Sequence, residues 1–368
     1  MDQQKIADVL RAFEAGEIVV VTDDDDRENE GDLIVAAVHC TAEKMAFIIR
    51  HTSGIVCAPM TPAEARRLNL PAMVAENDAP HSTAFTISVD YRHDTTTGIS
   101  AEERTSTVRA LANPNAGAAD FVRPGHVFPL VAREGGVLMR SGHTEAAVDL
   151  CRMAGLPPVG VISELMNDNG SVMRGPQVAA FAQQHNLKQI SVADLIAWRQ
   201  RQESLVERVS VAEVNTFAGP ATAITYKTPW DPMHHLAVIY GDIRDGRDVP
   251  VRMQVESVLD DAFGASDTLR NALTRIAAGG RGVVVYLREG SVGVAHVARR
   301  TESGAGTPGL EHHDSARSRE NEWLEIGLGA QILRDLGIES IDVLASRERH
   351  YVGLDGFGIE IVRTTPIE

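Results

Sequence analysis

Cysteine is scarce in this sequence. Cys40, Cys57 and Cys151 are the only three in 368 residues, and their spacing fits neither a zinc-binding pattern nor a disulfide framework. Basic residues are also short: 35 Lys and Arg face 51 Asp and Glu, for a formal charge of -16. That balance argues against nucleic acid or an anionic membrane as a partner, because either would repel the chain. An anionic small molecule would need a local basic pocket or a metal ion. No apolar run approaches the roughly 18 residues of a membrane span. The opening stretch MDQQKIADVLRAFEAGE carries acids along an amphipathic helix, so it reads as neither a signal nor a transit peptide. There is no internal repeat and no long low-complexity tract. A soluble, cytoplasmic protein is the expectation.

Hydrophobic residues make up 43% of the chain, enough for two cores, and the length suits two domains. Ile6, Val9, Leu10 and Phe13 fall on one face of a helix over 3–15, closed by Gly16. IVVV and LIVAAVH read as strands. Thr41 and Pro62 mark helix starts. AFTISVDY (84–91) alternates like a strand, residues 100–112 form a helix, RPGHVFPLVA is a turn and then a strand, and PVGVISELM is a buried strand. The pattern predicts a helix over 191–208, highly charged after Trp198, with the domain junction near 203–210. The second half starts with the strands TAITYK and HLAVIYGDI. It then alternates helix and strand, as in TLRNALTRIAAG before GVVVYLR and GAQILRDLG before SIDVLAS, an α/β pattern. Residues 302–319 read as a loop.

The densest charge lies in VVVTDDDDRENEGDLI (19–34), where seven of the ten residues from Asp23 to Asp32 are acidic. A charge run is ordinarily a solvated turn. This one is bracketed by two buried strands that hold it at a sheet edge, and loops held on rigid scaffolds are where sites gather. Carboxylates without a balancing Lys call for a hard cation, Mg²⁺ or Mn²⁺. Arg27 could pair with an anionic substrate group or orient a neighbouring carboxylate. RSGHTEAAVDL (140–150) sets Arg140, Ser141, Gly142, His143 and Thr144 at a helix start, where free N–H groups and the dipole favour phosphate. His143 reads either as a metal ligand or as a surface histidine capping the helix. His126 in RPGHVFPL and Glu164 in GVISELMNDNGSVMR, taken singly, read as a turn histidine and an edge acid.

Taken together, DDDDRENEGDLI, RHTSGIVC, TTTGIS, RPGHVFPL, SGHTEAAVDL and GVISELMNDNGSVMR follow the order of one family. The first half closely resembles 3,4-dihydroxy-2-butanone 4-phosphate synthase of riboflavin biosynthesis, over about residues 3–203. Two small departures are Thr52, where Gly is usual, and Glu103, where Asp is usual. The resemblance implies an α+β domain over 1–205 with a mixed sheet flanked by helices. It implies a lyase that converts ribulose 5-phosphate to L-3,4-dihydroxy-2-butanone 4-phosphate and formate, as a homodimer in which His126 reaches the neighbour's site. By the same resemblance, Glu28 and His143 hold Mg²⁺ or Mn²⁺, two ions per site. Arg27, Glu28, Asp32, the Arg140–Thr144 turn and Glu164 bind substrate, and the turn takes the phosphate. His126 and Glu164 are catalytic. The chemistry agrees, since proton removal beside a ketone leaves charge that a chelating cation stabilises, and His126, Glu164 and Asp32 are the groups available to move protons. Cys57 reads as a buried small residue near the site.

Residues 206–368 resemble GTP cyclohydrolase II, in an α/β domain, through KTPWDPMHHLAVIYGDI, ALTRIAAGGRGVVVYLREG, GAQILRDLGIESIDVLAS and GFGIEIVRTTPIE. The resemblance implies zinc cysteines that this chain lacks. Ser257 in RMQVESVLDD stands at the first cysteine position, AFGASDTL replaces a later C-x-C, and no cysteine follows Cys151. The chain also stops at Glu368, before that family's usual Asn- and Lys-rich tail. A serine hydroxyl is a poor zinc ligand beside thiolate, so no zinc is expected and the domain reads as non-catalytic. A replacement metal site would draw on His234, His235, His296, His312 or His313. The missing thiols disfavour a bifunctional enzyme that also opens GTP. The intact polar groups of the first half disfavour a non-enzymatic regulatory relic.

Overall fold

Seven segments of the first half form one mixed sheet: β1 (Val19–Thr22), β2 (Gly31–Ala36), β3 (Cys57–Met60), β4 (Val89–Tyr91), β5 (Phe121–Val131), β6 (Gly160–Glu164) and β7 (Lys188–Ser191). They lie in the order β4-β5-β3-β6-β2-β1-β7. β2 is antiparallel to both β1 and β6, whereas β7 runs parallel to β1 and β3 parallel to β5. The central strands are apolar at nearly every position because helices cover both faces. On one face, Leu33 and Val35 of β2 share a core with Met45 and Ile48 of α2 (Ala42–His51), Val108 and Leu111 of α4 (Ala101–Leu111), and Val178 and Phe181 of α6 (Pro176–Gln184). On the other, α5 (His143–Met153) rests on β2, β3 and β6, beside α1 (Gln3–Glu14). Helix starts follow the sequence signals: the Thr41 hydroxyl accepts from Lys44 N–H, Thr61 does the same for Glu64 at the head of α3 (Pro62–Arg67), and Ser100 with Glu103 forms a capping box on α4.

The computed structural model describes residues 3–23, 28–79, 83–93, 95–203, 206–229, 233–264, 266–288, 327–345 and 358–367. The chain divides into two compact units, Met1–Trp198 and Arg199–Glu368. The loop expected over 302–319 lies outside the described residues.

Three elements differ from the sequence reading. Only Val89–Tyr91 of AFTISVDY is a strand, with Phe85 and Thr86 making isolated bridges. The RPGH turn is a bulge inside β5 instead of a turn before it. The β4–β5 ladder passes directly from Val89–Val127 to Asp90–Val122, so residues 123–126 arch out. The helix expected over 191–208 ends at Gln202 as α7 (Val192–Gln202), where Arg199 and Glu203 close the last turn with two hydrogen bonds of 2.8 and 2.7 Å. Glu207 already begins a strand.

The second unit holds another seven-stranded sheet: β8 (Glu207–Thr216), β9 (Gly219–Lys227), β10 (His234–Tyr240), β11 (Val249–Val255), β12 (Gly282–Leu287), β13 (Ser340–Ala345) and β14 (Glu360–Pro366), ordered β14-β13-β11-β12-β10-β9-β8. β8, β9, β10 and β12 pair antiparallel, and β12, β11, β13 and β14 pair parallel. Among the described residues its helices are α8 (Val258–Phe263), α9 (Thr268–Ala278) and α10 (Gly329–Asp335). No helix among the described residues is long and apolar enough to cross a membrane.

Candidate active site

Asp23 directly follows β1, and its carboxylate folds the acidic loop back on itself. Oδ2 accepts from Glu28 N–H at 3.2 Å and Oδ1 from Glu30 N–H at 2.8 Å. That clasp turns Glu28 toward α5, whose first residue is His143. One ligand atom from each of Asp23, Glu28 and His143 lies within 4.8 Å of the other two. Among the described residues no other group of three or more such side chains does so. The structure therefore brings together the two side chains that the resemblance implied as ligands, and Asp23 beside them. Arg27 lies outside the described residues.

Asp32 stands directly opposite Glu164 across the β2–β6 ladder, on the sheet face that carries α5. Like charges in that register destabilise a sheet. Asp32 is 2% exposed, its Oδ1 has no hydrogen-bond partner, and His143 Nδ1 lies 3.7 Å away, beyond bonding range. Burial first, then the negative charge of Glu164, Glu28, Asp23 and Glu30, pushes its carboxyl well above the usual range. The same causes, burial and then Glu164 and Asp32, push the Cys57 thiol up, so Cys57 sits in this field as a neutral buried thiol. The Glu164 carboxylate accepts from the Ser53 hydroxyl at 2.7 Å. Two carboxylates and an imidazole crowded together, beside a buried carboxylate oxygen that lacks a donor, fit a hard divalent ion such as Mg²⁺ or Mn²⁺.

Folded Asp32 keeps its proton to a higher pH than it does unfolded, so the metal-free folded state binds the extra proton above about pH 4. Stability of the metal-free chain then falls as pH rises from there toward neutrality. Thermal unfolding in a chelator should show the melting midpoint dropping by a few degrees or more across pH 4.5–7.5. Saturating Mg²⁺ should flatten or reverse the slope, and Asp32→Asn should remove it. A metal-free midpoint that rises over that range, and rises equally in Asp32→Asn, would contradict the assignment.

Arg140 stands just ahead of α5. Its Nη1 donates to Glu145 at 2.6 Å and its Nη2 to the Thr83 hydroxyl at 3.1 Å. Glu145, only 1% exposed, also accepts from Arg133 N–H at 3.0 Å. Gly142 caps the helix without a side-chain acceptor, and a β-carbon there would collide with the Arg140 guanidinium. Ser141, Gly142, His143 and Thr144 thus form a helix N-terminus with a guanidinium laid over it, as an anion site requires. Sequence reasoning missed Glu145 and Thr83. Glu145 is the first-turn acid of α5 and reads there as a dipole partner, not as the anchor of Arg140.

His126 is not part of this group. It sits on β5, and β3 and β6 lie between β5 and β2, so its strand is three places across the sheet from the one that carries Asp32. Its partner is Asp90 of β4, a residue that no sequence motif marks.

In the second unit Ser257 heads α8. Its hydroxyl donates to Asp260 at 2.8 Å and its N–H to Asp261 at 2.8 Å. Asp261 also accepts from the Tyr286 hydroxyl at 2.8 Å. His234 is exposed and His235 buried, as neighbours on a strand must be, and His235 Nδ1 accepts from Arg288 N–H at 3.1 Å. His296, His312 and His313 lie outside the described residues.

Residues 7–198 match the family model for 3,4-dihydroxy-2-butanone 4-phosphate synthase, more than half of the chain. The chain belongs to that family. Residues 207–366 match the model for GTP cyclohydrolase II, so the synthase carries a GTP cyclohydrolase II domain as well. The chain is 45% identical to the bifunctional riboflavin biosynthesis protein RIBA 1 of Arabidopsis thaliana over 98% of its own length and 68% of that protein's. A solved structure titled RibBX, a two-domain 3,4-dihydroxy-2-butanone 4-phosphate synthase from A. baumannii, superposes with a TM-score of 0.82. That pair shares 33% identity, over 98% of this chain and 99% of that one. A 3,4-dihydroxy-2-butanone 4-phosphate synthase solved with two magnesium ions is 50% identical over 54% of this chain and 97% of its own, with a TM-score of 0.53. The synthase is an enzyme of riboflavin biosynthesis.

Proposed function

We propose that residues 1–205 form a divalent-cation-dependent lyase acting on ribulose 5-phosphate, and that residues 206–368 form a domain without cyclohydrolase activity. The observation that carries the first part is the convergence of Asp23, Glu28 and His143 on one face of the sheet, beside the Asp32–Glu164 pair. Mg²⁺ is the expected ion, with Mn²⁺ as a substitute and two ions per site. A cation bound there would polarise the ketose oxygens and lower the cost of charge after proton loss. The Arg140–Thr144 turn binds the phosphate. Arg27, Glu28, Asp32 and Glu164 hold the sugar. Glu164, fixed by Ser53, and buried Asp32 are placed to accept or donate protons on one side of the substrate, and His126 supplies a third such group. Water is first lost and later returned as one ketose phosphate divides into a four-carbon ketone phosphate and formate. No oxidant, reductant or co-substrate is required.

The strand spacing that separates His126 from its own chain's metal group supports a homodimer in which His126 serves the neighbour. The cytoplasmic setting expected from the sequence belongs to this proposal too. Support for an inactive second domain comes from Ser257, whose hydroxyl is committed to Asp260, and from the lack of any cysteine after Cys151. The test is direct. Purified chain with ribulose 5-phosphate and Mg²⁺ should release one formate per four-carbon product, and a chelator should stop the reaction. Full turnover in the chelator, or no formate with Mg²⁺ or Mn²⁺ present, would refute the reading.

A further inference from the structure

Two groups of His126 converge on one buried carboxylate. The His126 backbone N–H donates to Asp90 Oδ1 at 2.8 Å, and His126 Nδ1 lies 2.7 Å from Asp90 Oδ2. The bulge at residues 123–126 makes this possible, because it lifts His126 out of the β4–β5 ladder and turns its amide toward β4. The space around Asp90 is defined by two glycines. A β-carbon at Gly98, at φ +84°, would collide with the Asp90 carboxylate, and one at Gly125 would collide with the β4 backbone at Val89 and Asp90. The loop that bears Gly98 is itself tied down. Glu103 accepts from the N–H groups of Thr96, Thr97, Gly98 and Ser100. Those bonds hold its carboxyl down to about 2, so the tie persists across the neutral range. Asp90 is 5% exposed, whereas the His126 side chain is 43% exposed.

A backbone N–H only donates, and a carboxylate only accepts. The proton of the neutral imidazole therefore sits on Nδ1, and Nε2 keeps its lone pair. Nε2 has no protein partner among the described residues. We propose that Asp90 is a positioning residue for the synthase reaction, which fixes His126 as the Nδ1–H tautomer and leaves Nε2 as the proton acceptor. The inference rests on the catalytic reading of His126. When Nε2 takes a proton from the substrate, the ring becomes an imidazolium whose charge Asp90 offsets, and the same nitrogen returns the proton later in the reaction. A clasp serving only to join β4 to β5 would need the backbone N–H bond but not the ring bond.

Asp90→Asn separates these roles. The His126 backbone N–H is an obligatory donor, so the Asn oxygen must take it and the Asn NH₂ then faces Nδ1. Nδ1 must become the acceptor, and the ring proton moves to Nε2. The expected result is a fall in kcat of about a hundredfold or more, the range general acid–base catalysis supplies. KM should stay within about threefold, and Mn²⁺ affinity should be unchanged because Asp90 is not in the metal group. In chains labelled with ¹⁵N-histidine, His126 should report Nδ1–H in the wild type and Nε2–H in Asp90→Asn, its signals identified by their loss in His126→Gln. A wild-type ring protonated at Nε2 overturns the proposal without any variant. So does Asp90→Asn with near-normal kcat, or with reduced kcat and an unchanged tautomer. His126→Gln with normal kcat would instead overturn the catalytic reading beneath it.

Discussion

Glu28→Ala and His143→Ala chains are expected to fold and to release no measurable formate from ribulose 5-phosphate. The loss should be about a thousandfold or more, because a cation that offsets charge in the transition state contributes several kcal/mol. Both variants should also bind Mn²⁺ weakly or not at all, which ties the loss to the ion and not to misfolding. Leu33 and Val35 of β2 pack on the opposite face of the sheet from α5, so the core there is untouched by either change. Near-normal turnover in either variant, with Mg²⁺ as the sole added metal, would remove these residues from the site. A mixed dimer extends the test. If His126 serves the neighbouring chain, co-refolding Glu28→Ala with His126→Gln pairs one intact metal group with one intact histidine in every mixed dimer. Random pairing of a two-fold dimer then restores about a quarter of the wild-type rate. No recovery would return His126 to its own chain's site.

The family resemblance singled out Glu28 and His143 as candidate ligands, and the structure brings these two side chains together with Asp23. Asp23 was not legible in the same way. It is one of four consecutive aspartates, and nothing in their order tells which one folds back onto the amides of Glu28 and Glu30. Asp90 was equally hidden. It is a single acid in a short alternating strand, and its meaning depends on a bulge in β5 that only pairing creates. The misread helix at 191–208 has a different cause. β8 is an edge strand exposed along most of its length, so ERVSVAEVNT lacks the apolar contrast between two faces that would mark a strand. Its charged residues continue the helical pattern of α7, and only pairing with β9 decides the matter.

The second large effect concerns the cyclohydrolase II domain. Purified full-length chain should contain no stoichiometric zinc and should open no GTP, a loss of activity that is complete instead of partial. A zinc-activated water needs enough protein ligands to hold the ion and an open position for the water. Here Ser257 donates its hydroxyl to Asp260, and Asp261 is occupied by Ser257 N–H and Tyr286. That arrangement is a self-satisfied hydrogen-bond cluster at a helix start. Removing residues 206–368 should leave formate release from ribulose 5-phosphate largely intact, with solubility or dimer stability reduced. One tightly held zinc per chain, lost with that truncation and accompanied by formate from GTP, would show a working second enzyme.

The metal group is assembled from the end of β1, a loop that folds back from it, and the first residue of a helix more than a hundred positions later. A ribosome-bound chain has the first two long before it has the third. If these residues hold the ion, the complete site exists only after α5 has docked on β2, β3 and β6. The cation cannot guide early collapse. On the metal-binding reading, an ion held there stabilises the folded sheet by an amount that grows with its concentration relative to its dissociation constant.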